Sequence, residues 1–305
     1  MAIFHTSYIG TSVAKEDVLP LVEILTAKEN WFLNNLEKST AMNTVHSTMT
    51  DSLRTAASAA VTEEADYTDL ARTYPSLVSN IVEIVAIPFT VTRTAQQIQY
   101  YHGQNELARQ TTKGLIDWGN AVEFDLVRST LTSGASGTAP KMDGIIRGIS
   151  QSTNYTLQTS GTTFTATILR LLMKDNWDNS NGEVATDIFV GSYLSDAIDT
   201  FTNKSNVVVT GGNETTIVHA LDVYETGLGK VRKHTHRYVQ QSTDANARIL
   251  AVRPEKFAIA YLQRPFIQTD LSRLGDYDKR AVLGKLTLEL KNKTSNWFAD
   301  GYLKD

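Results

Sequence analysis

The sequence contains no cysteine, which removes disulfides and thiolate metal sites from consideration and fits a reducing cytoplasm. It has no excess of positive charge: 29 Lys and Arg stand against 33 Asp and Glu, for a formal net charge of −4. A chain that gripped nucleic acid over its whole surface would read basic, so neither nucleic acid nor a membrane is a general partner. No apolar run approaches the roughly 20 residues of a membrane-spanning helix; the nearest, IVEIVAIPF, is short and carries Glu83. The N-terminal MAIFHTSYIG lacks a charged segment followed by an apolar one and is not read as a signal peptide. GxSxG, P-loop, dinucleotide and HExxH signatures are missing too. The glycine turns GASGTAP and GGNET have no lysine where a phosphate loop needs one. Nothing argues for a catalytic residue or a cofactor.

What remains is an ordinary globular composition, 41% hydrophobic and 20% charged over 305 residues, enough for one large domain or two small ones. Residues 14–38 read as helical, with Val18, Val22 and Leu25 on one face. NWFLNNL then places Trp31, Phe32 and Leu36 on a short second helix or turn, as packing anchors. Residues 39–76 are rich in threonine, serine and alanine and poor in large apolar side chains. Val45, Ser47 and Met49 alternate as in a strand, and TEEAD reads as a loop tip carrying Glu63, Glu64 and Asp66. Extended signals return at IVEIVAIPFTVTRT. The segment is therefore expected to leave the body as a two-armed excursion. Two strands alone are marginal in water, so the arm needs a surface to lie on, and a neighbouring subunit is the natural one.

NELARQTTKGLIDWGNAVEFDLVRST predicts one long helix. Leu107, Thr111, Leu115, Trp118, Val122 and Leu126 draw a stripe at helical spacing, with Arg109, Lys113, Asp117, Glu123 and Arg128 opposite. Gly114 and Gly119 each cost about 1 kcal/mol relative to alanine, which suggests close approach of another backbone. After the break at LTSGASGTAP the pattern alternates. TTFTATILRLLMKDNW predicts a threonine-capped helix, VATDIFVG a buried strand, and SYLSDAIDTF a helix capped by Ser192. NVVVTGGNETTIVHALDVYETGLGKVRKHTHRYV predicts strands with turns at Gly211-Gly212-Asn213 and Gly227-Leu228-Gly229. The closing segments continue as strands, with Val282, Leu286, Leu288 and Leu290 alternating. The order arm, excursion, spine helix, α/β insert, returning strands describes an α+β fold rather than a doubly wound sheet.

Two clusters carry possible chemistry. His234 and His236 are spaced i, i+2 on a presumed strand and could share a metal, but Lys230, Arg232, Lys233 and Arg237 flank them and would repel a cation. The same basic strip could meet phosphate locally or pair with acidic groups across a subunit boundary. The acidic tip lacks the glycine and the spacing of a calcium loop.

Several segments, in order, resemble the major capsid proteins of tailed bacteriophages. AKENWFLNNLEKSTAMNTVHSTMTDSL is similar to that family's N-terminal pattern, ending in Thr50, Asp51, Ser52 and Leu53. ELARQTTKGLIDWGNAVEFDLV resembles its spine helix, with Glu123 at the acidic position. KMDGIIRGI carries Met142, Gly144 and Ile145 of a Met-x-Gly-Ile motif, and DVYETGLGKVRKHTHRYV resembles the strand, glycine turn and basic strand that follow. The closing strands match through Arg264-Pro265, Leu274-Gly275-Asp276 and Leu286-Thr287-Leu288-Glu289; Leu274 and Lys285 depart from the family's usual choices. The resemblance implies an N-terminal arm (1–43), an extended loop (44–92), a peripheral domain with the spine helix (93–140 and 249–305) and an axial domain (141–248). It implies hexamers and pentamers closing an icosahedral shell around double-stranded DNA. The partners would be other copies of the chain, a portal, and scaffolding or cement proteins. The place is the virion, with the host cytoplasm during assembly, and no membrane is involved. Assembly contacts are expected from Glu63, Glu64 and Asp66 at the tip, from Trp31 and Phe32, and from Arg232, Lys233 and Arg237 as charge partners. The rival readings are an encapsulin-like compartment shell, a soluble α/β enzyme using His219, His234 and His236, and a nucleic-acid module using residues 230–237.

Overall fold

In the computed structural model, the described residues are 30–54, 56–64, 66, 72–100, 105–150, 163–180, 183–201, 206–208, 216–218, 223–240, 246–269, 271–272 and 275–302. The first begins a short helix, α1 (Trp31–Asn35), which buries Phe32. The helix expected over 14–38 is therefore not continuous. Residues 14–29 lie outside the described set, and from Leu36 the backbone turns extended and enters strand β1 (Glu37–Thr40). The amides there go to a parallel partner strand instead of a helix ladder.

The excursion is as expected. Strands β2 (Val45–Thr50) and β3 (Ser76–Ile81) pair antiparallel, from Val45↔Ile81 to Thr50↔Ser76. The chain re-enters the body through β4 (Glu83–Thr92) and the short helix α2 (Arg93–Gln97). The spine follows as α3 (Glu106–Arg128), 23 residues or about 35 Å long. Asn105 caps it, its side chain accepting from the Leu107 amide. After α3 the chain reverses through bridges Thr132↔Lys141 and Ala135↔Thr138, with Gly137 at φ 82. It comes back so tightly that a Cβ on Gly144 would sit 2.8 Å from the Ser129 amide nitrogen. That contact gives the glycine of Met142-x-Gly144-Ile145 its physical reason.

Helices α4 (Ile145–Ser150), α5 (Ala166–Asn179) and α6 (Ser192–Asp199) and strand β5 (Asp187–Val190) lead into hairpins β6 (Asn206–Val208)–β7 (Thr216–Val218) and β8 (Val223–Thr226)–β9 (Gly229–Thr235). Thr165 caps α5 as expected. Ser192 does not cap α6; Gly191 holds that place, where a Cβ would lie 2.5 Å from Gln240 Oε1. The turn expected at 211–213 lies outside the described residues. The chain closes with β10 (Ala247–Val252), the long strands β11 (Phe257–Gln268) and β12 (Tyr277–Leu290), and β13 (Trp297–Tyr302).

Two sheets organise these elements. The first runs β1-β11-β12-β4, and α3 packs on it through Trp118, Val122 and Leu126. The second runs β13-β10-β5-β9-β8. Strand alternation splits its side chains between two cores. Ile188, Val190, Ile249 and Ala251 meet α5 and α6 through Leu169, Met173, Leu194 and Ile198. Phe189, Leu250, Val252 and Phe298 join Phe32, Val122 and Leu126 in the other core. All four residues of β5 are buried for this reason.

The spine's apolar stripe is shifted from the expected one. Gly114, Trp118, Gly119, Val122, Leu126 and Val127 are buried, whereas Leu115 is exposed. What approaches the two glycines is side chain and not backbone: Phe89 and Val282 at Gly114, Asn30 at Gly119. Opposite the helix, Gly284 of β12 faces the Trp118 ring, where an added Cβ would lie 2.6 Å from Cζ2, and the Trp118 indole donates to the Val85 carbonyl at 3.2 Å. The Gly284→Ala variant is therefore expected to be destabilised by about 1–3 kcal/mol, read as a lower urea midpoint with an unchanged slope.

Candidate functional site

The arm is pinned to the body on one side and bare on the other. Asn80 in β3 donates from Nδ2 to the Leu288 carbonyl at 2.8 Å and to the Asp143 carbonyl at 3.1 Å, and its Oδ1 accepts from the Asp143 amide. His46 in β2 and Ser39 in β1 both reach Glu289 Oε2, at 3.3 and 2.9 Å. These polar residues face the body. The opposite face of the same hairpin carries Val45, Met49 and Leu77, respectively 50%, 68% and 66% exposed, with Met49 and Leu77 directly opposed in register. Further out, Leu53 is 98% and Tyr74 94% exposed. Glu63, Glu64 and Asp66 lie exposed at the tip.

At the arm's re-entry a second group forms. Glu83, the first residue of β4, is buried, and its Oε2 accepts from the Met142 amide at 3.1 Å. Burial first, then the neighbouring Asp125 of α3, raise the Glu83 carboxyl to about 7, against the pull of the Met142 amide and Lys141. Burial likewise raises Asp125.

Glu123, placed on the polar face of the spine by helical spacing, is fully buried. Its carboxylate accepts from the Phe32 amide at 2.7 Å and the Leu33 amide at 2.8 Å, at the start of α1. It also lies 3.0 Å from His236 Nε2. The Tyr238 amide donates to His236 Nδ1, so Nε2 carries the proton and donates to Glu123. A carboxyl group is tolerated in this buried position because three donors converge on it. Around it, Trp31 packs edge-on to Phe189 at 4.5 Å and lies 5.1 Å from the His234 ring.

The basic strip divides. Lys233 Nζ is 2.6 Å from Asp199 Oδ1, both largely buried, and Lys230 reaches Glu225 at 3.1 Å. Arg232 and Arg237 are exposed. His234 Nε2 pairs with Asp187 Oδ1 at 2.8 Å. Burial raises Asp187, but the bonds from His234 and Thr186 more than offset it and leave the carboxyl below its usual value. The two imidazoles thus take separate carboxylates, and among the described residues no three His, Asp or Glu side chains gather around a common point. His219 lies outside those residues.

The sequence pattern of the SU10 major capsid protein family matches residues 5–301, nearly the whole chain. This chain belongs to that family. The solved structures it resembles include capsids and an encapsulin. The capsid of a native GTA particle superposes with a TM-score of 0.66 at 8% identity, covering 98% of each chain. The capsid of Myoviridae phage XM1 gives 0.62 at 10% identity over 98% of this chain and 99% of that one. The SrpI encapsulin of Synechococcus elongatus PCC 7942 gives 0.63 at 10% identity over 99% and 96%. At these identities the likeness is one of fold. No curated protein matches the chain by sequence. Within the family, the role of this major capsid protein is structural: repeated copies build a shell.

Two of the residues expected to serve assembly are already occupied inside the capsid subunit: Phe32 is fully buried in its own core, and Lys233 is tied to Asp199. The sequence reading passed over Asn80, Asp125, Glu289 and the partners of Glu123. Glu289 stood in the Leu-Thr-Leu-Glu match and Glu123 at the family's acidic position, so those motifs were the available signals. Glu123→Ala, which strands two amides and His236, is expected to cost about 3–5 kcal/mol, and Glu123→Gln distinctly less, both measured by chemical denaturation.

Proposed function

We propose that this major capsid protein closes into hexamers and pentamers of an icosahedral phage head around double-stranded DNA. The observation that carries the reading is the two-sided arm. Its polar side is bonded to its own body, while Val45, Met49 and Leu77 line the side left open. Monomeric surfaces do not ordinarily hold such side chains on a projecting ribbon. A neighbouring copy supplies the cover, and a contact between unlike patches repeats around a ring until it closes.

In this reading residues 1–43 are the arm, 44–92 the extended loop, 93–140 and 249–305 the peripheral domain and 141–248 the axial domain. The five-stranded sheet draws β10 and β13 from the last segment beside β5, β9 and β8 of the one before it, which supports a close join between the two. Glu63, Glu64 and Asp66 at the tip are the acidic partners of a neighbour's cations, and Arg232 and Arg237 supply such cations or meet the packaged DNA. Trp31, Phe32 and Lys233 serve assembly indirectly, by fixing the frame on which those groups are mounted. Assembly in the host cytoplasm, a portal, and scaffolding or cement proteins are part of this proposal, which family membership supports. An encapsulin shares the fold, but family membership favours a head. Neighbouring portal and terminase genes, as against a cargo enzyme, discriminate the two.

Removing residues 55–72, which leaves the β2–β3 root intact, is expected to give a folded subunit with a wild-type circular dichroism spectrum. Size-exclusion chromatography and negative-stain microscopy should then show few or no closed particles. Full-sized shells from this variant would remove the arm from the assembly mechanism.

A further inference from the structure

The four-stranded sheet has two faces, and the spine covers one of them. Gly284 of β12 faces the Trp118 ring, and Val282 and Phe89 meet Gly114 of α3. Strand alternation therefore turns the odd-numbered residues of β12 to the far side. Register carries that side across three strands: Lys285 lies beside Ile84 of β4, and Leu283 lies between Phe266 of β11 and Ala86 of β4. Lys279 follows at the far end of the same row on β12.

The chain's own hairpin root uses one end of this side. His46 reaches Glu289, and Asn80 takes the Leu288 carbonyl. Beyond that root, from Lys285 to Lys279, the sheet is open. Ile84 is 51% and Phe266 38% exposed, and Ala86 and Lys279 are exposed as well. The open part is an apolar strip with a lysine at each end, roughly 20 Å apart along the strand. Among the described residues neither lysine has an ion-pair partner.

The outer arm is the complement of that strip. Leu53, Val61 and Tyr74 stand in solvent. Glu63, Glu64 and Asp66 are exposed at the tip, again with no ion-pair partner among the described residues. Arg54 and Arg72 lie back toward the root in sequence, so the tip carries negative charge only.

We infer that the open half of this sheet, on β4, β12 and β11, is the seat of the outer arm of a neighbouring copy. Leu53, Val61 and Tyr74 cover the strip around Ile84, Leu283 and Phe266, and the acidic tip pairs with Lys279 and Lys285. The inference rests on the reading of the arm as a contact between copies and adds the surface that receives it. One side of the sheet thus serves two hairpins, its own at the Glu289 end and the neighbour's at the Lys279 end. Each copy gives and receives the same contact between unlike patches, as a closing ring requires. Apolar cover supplies the area. The charges set the register more than the affinity, because ion pairs at a wet rim are individually weak.

Two measurements test the seat. The chain has no cysteine, so Glu64→Cys combined with Lys285→Cys, or with Lys279→Cys, introduces one thiol pair at a time. A short bis-maleimide tolerates a looser fit than a disulfide. Added to assembled shells, it should give a ladder from dimer upward on denaturing gels with at least one pair, and none with either cysteine alone. Shells that give no ladder, or only a monomer closed on itself, overturn the seat while leaving the arm's part in assembly standing; the 55–72 deletion tests that part separately. Charge reversal is the second measurement. Lys279→Glu with Lys285→Glu should lower the yield of closed particles several-fold at low salt, with the circular dichroism spectrum of the subunit unchanged. Adding Glu63→Lys and Glu64→Lys to the same chain should restore most of that yield. A reversed sheet that assembles at the wild-type yield, as one turned toward packaged DNA would, overturns the inference. So does a fourfold variant that assembles no better than the reversed sheet alone. Each measurement decides by itself should the other's variants fail to fold.

Discussion

The structure depends on one arrangement: a long helix that carries a fully buried carboxyl group, Glu123, between two different neighbours. Glu123 and Asp125 are two residues apart, so they leave α3 in widely separated directions. Glu123 takes the start of α1 and the His236 turn that follows β9 of the five-stranded sheet. Asp125 points elsewhere and is only half-buried. The apolar face of the same helix, from Trp118 to Leu126, sits on the first sheet. The helix is thus fastened to the N-terminal segment, the five-stranded sheet and the four-stranded sheet at once. Apolar packing alone would allow it to slide or rotate, since the attraction is not directional. Buried carboxylates with counted donors do not, because each lost partner leaves an unsolvated charge.

That rigidity makes sense of how the exposed surface is distributed. The second core fills itself from α5, α6 and one face of the five-stranded sheet, and the first from α1, α3, α4 and the other face. The arm contributes almost nothing to either: of its large apolar residues, Val45, Met49, Leu53, Val61, Tyr74 and Leu77 stand in solvent. A segment this poor in self-contact keeps its shape only through its root or through a second molecule. In the subunit alone the root is polar and specific.

Much of this was readable from the sequence, because periodicity reports burial directly. The alternation at Val45, Ser47 and Met49 located β2, and the apolar positions of the NELARQ stretch located α3. The same logic failed where chemistry overrides pattern. Glu123 falls a turn from Val127 and beside Val122, yet a charge there reads as solvent-facing. Its donors are separated from it by 91 and 113 residues in sequence, and no local signal points that far. Glu83 was visible only as a charge interrupting an apolar run, since its partner, the Met142 amide, lies 59 residues on. Ser192 lost its capping role to Gly191 because Gln240, almost 50 positions later, occupies the space a side chain would need.

The geometry of the arm also says why its root has so many pins. From Val45 to Glu63 is 18 residues, at most about 60 Å if fully extended. On a lever of that length, a tilt of about 10° at the root moves the tip by roughly 10 Å, more than the whole reach of an ion pair. A ring of copies closes only if each tip meets its patch with the same small error, so the angle must be set near the pivot. Asn80, with three bonds to two different segments, and Glu289, receiving both Ser39 and His46, fix that angle from the sheet side. Glu83, accepting from the Met142 amide, fixes it from the side of the chain reversal. A weakly packed arm and a heavily bonded root are therefore two parts of one solution, since the tip can leave its surface to the neighbour only when the pivot leaves nothing to chance.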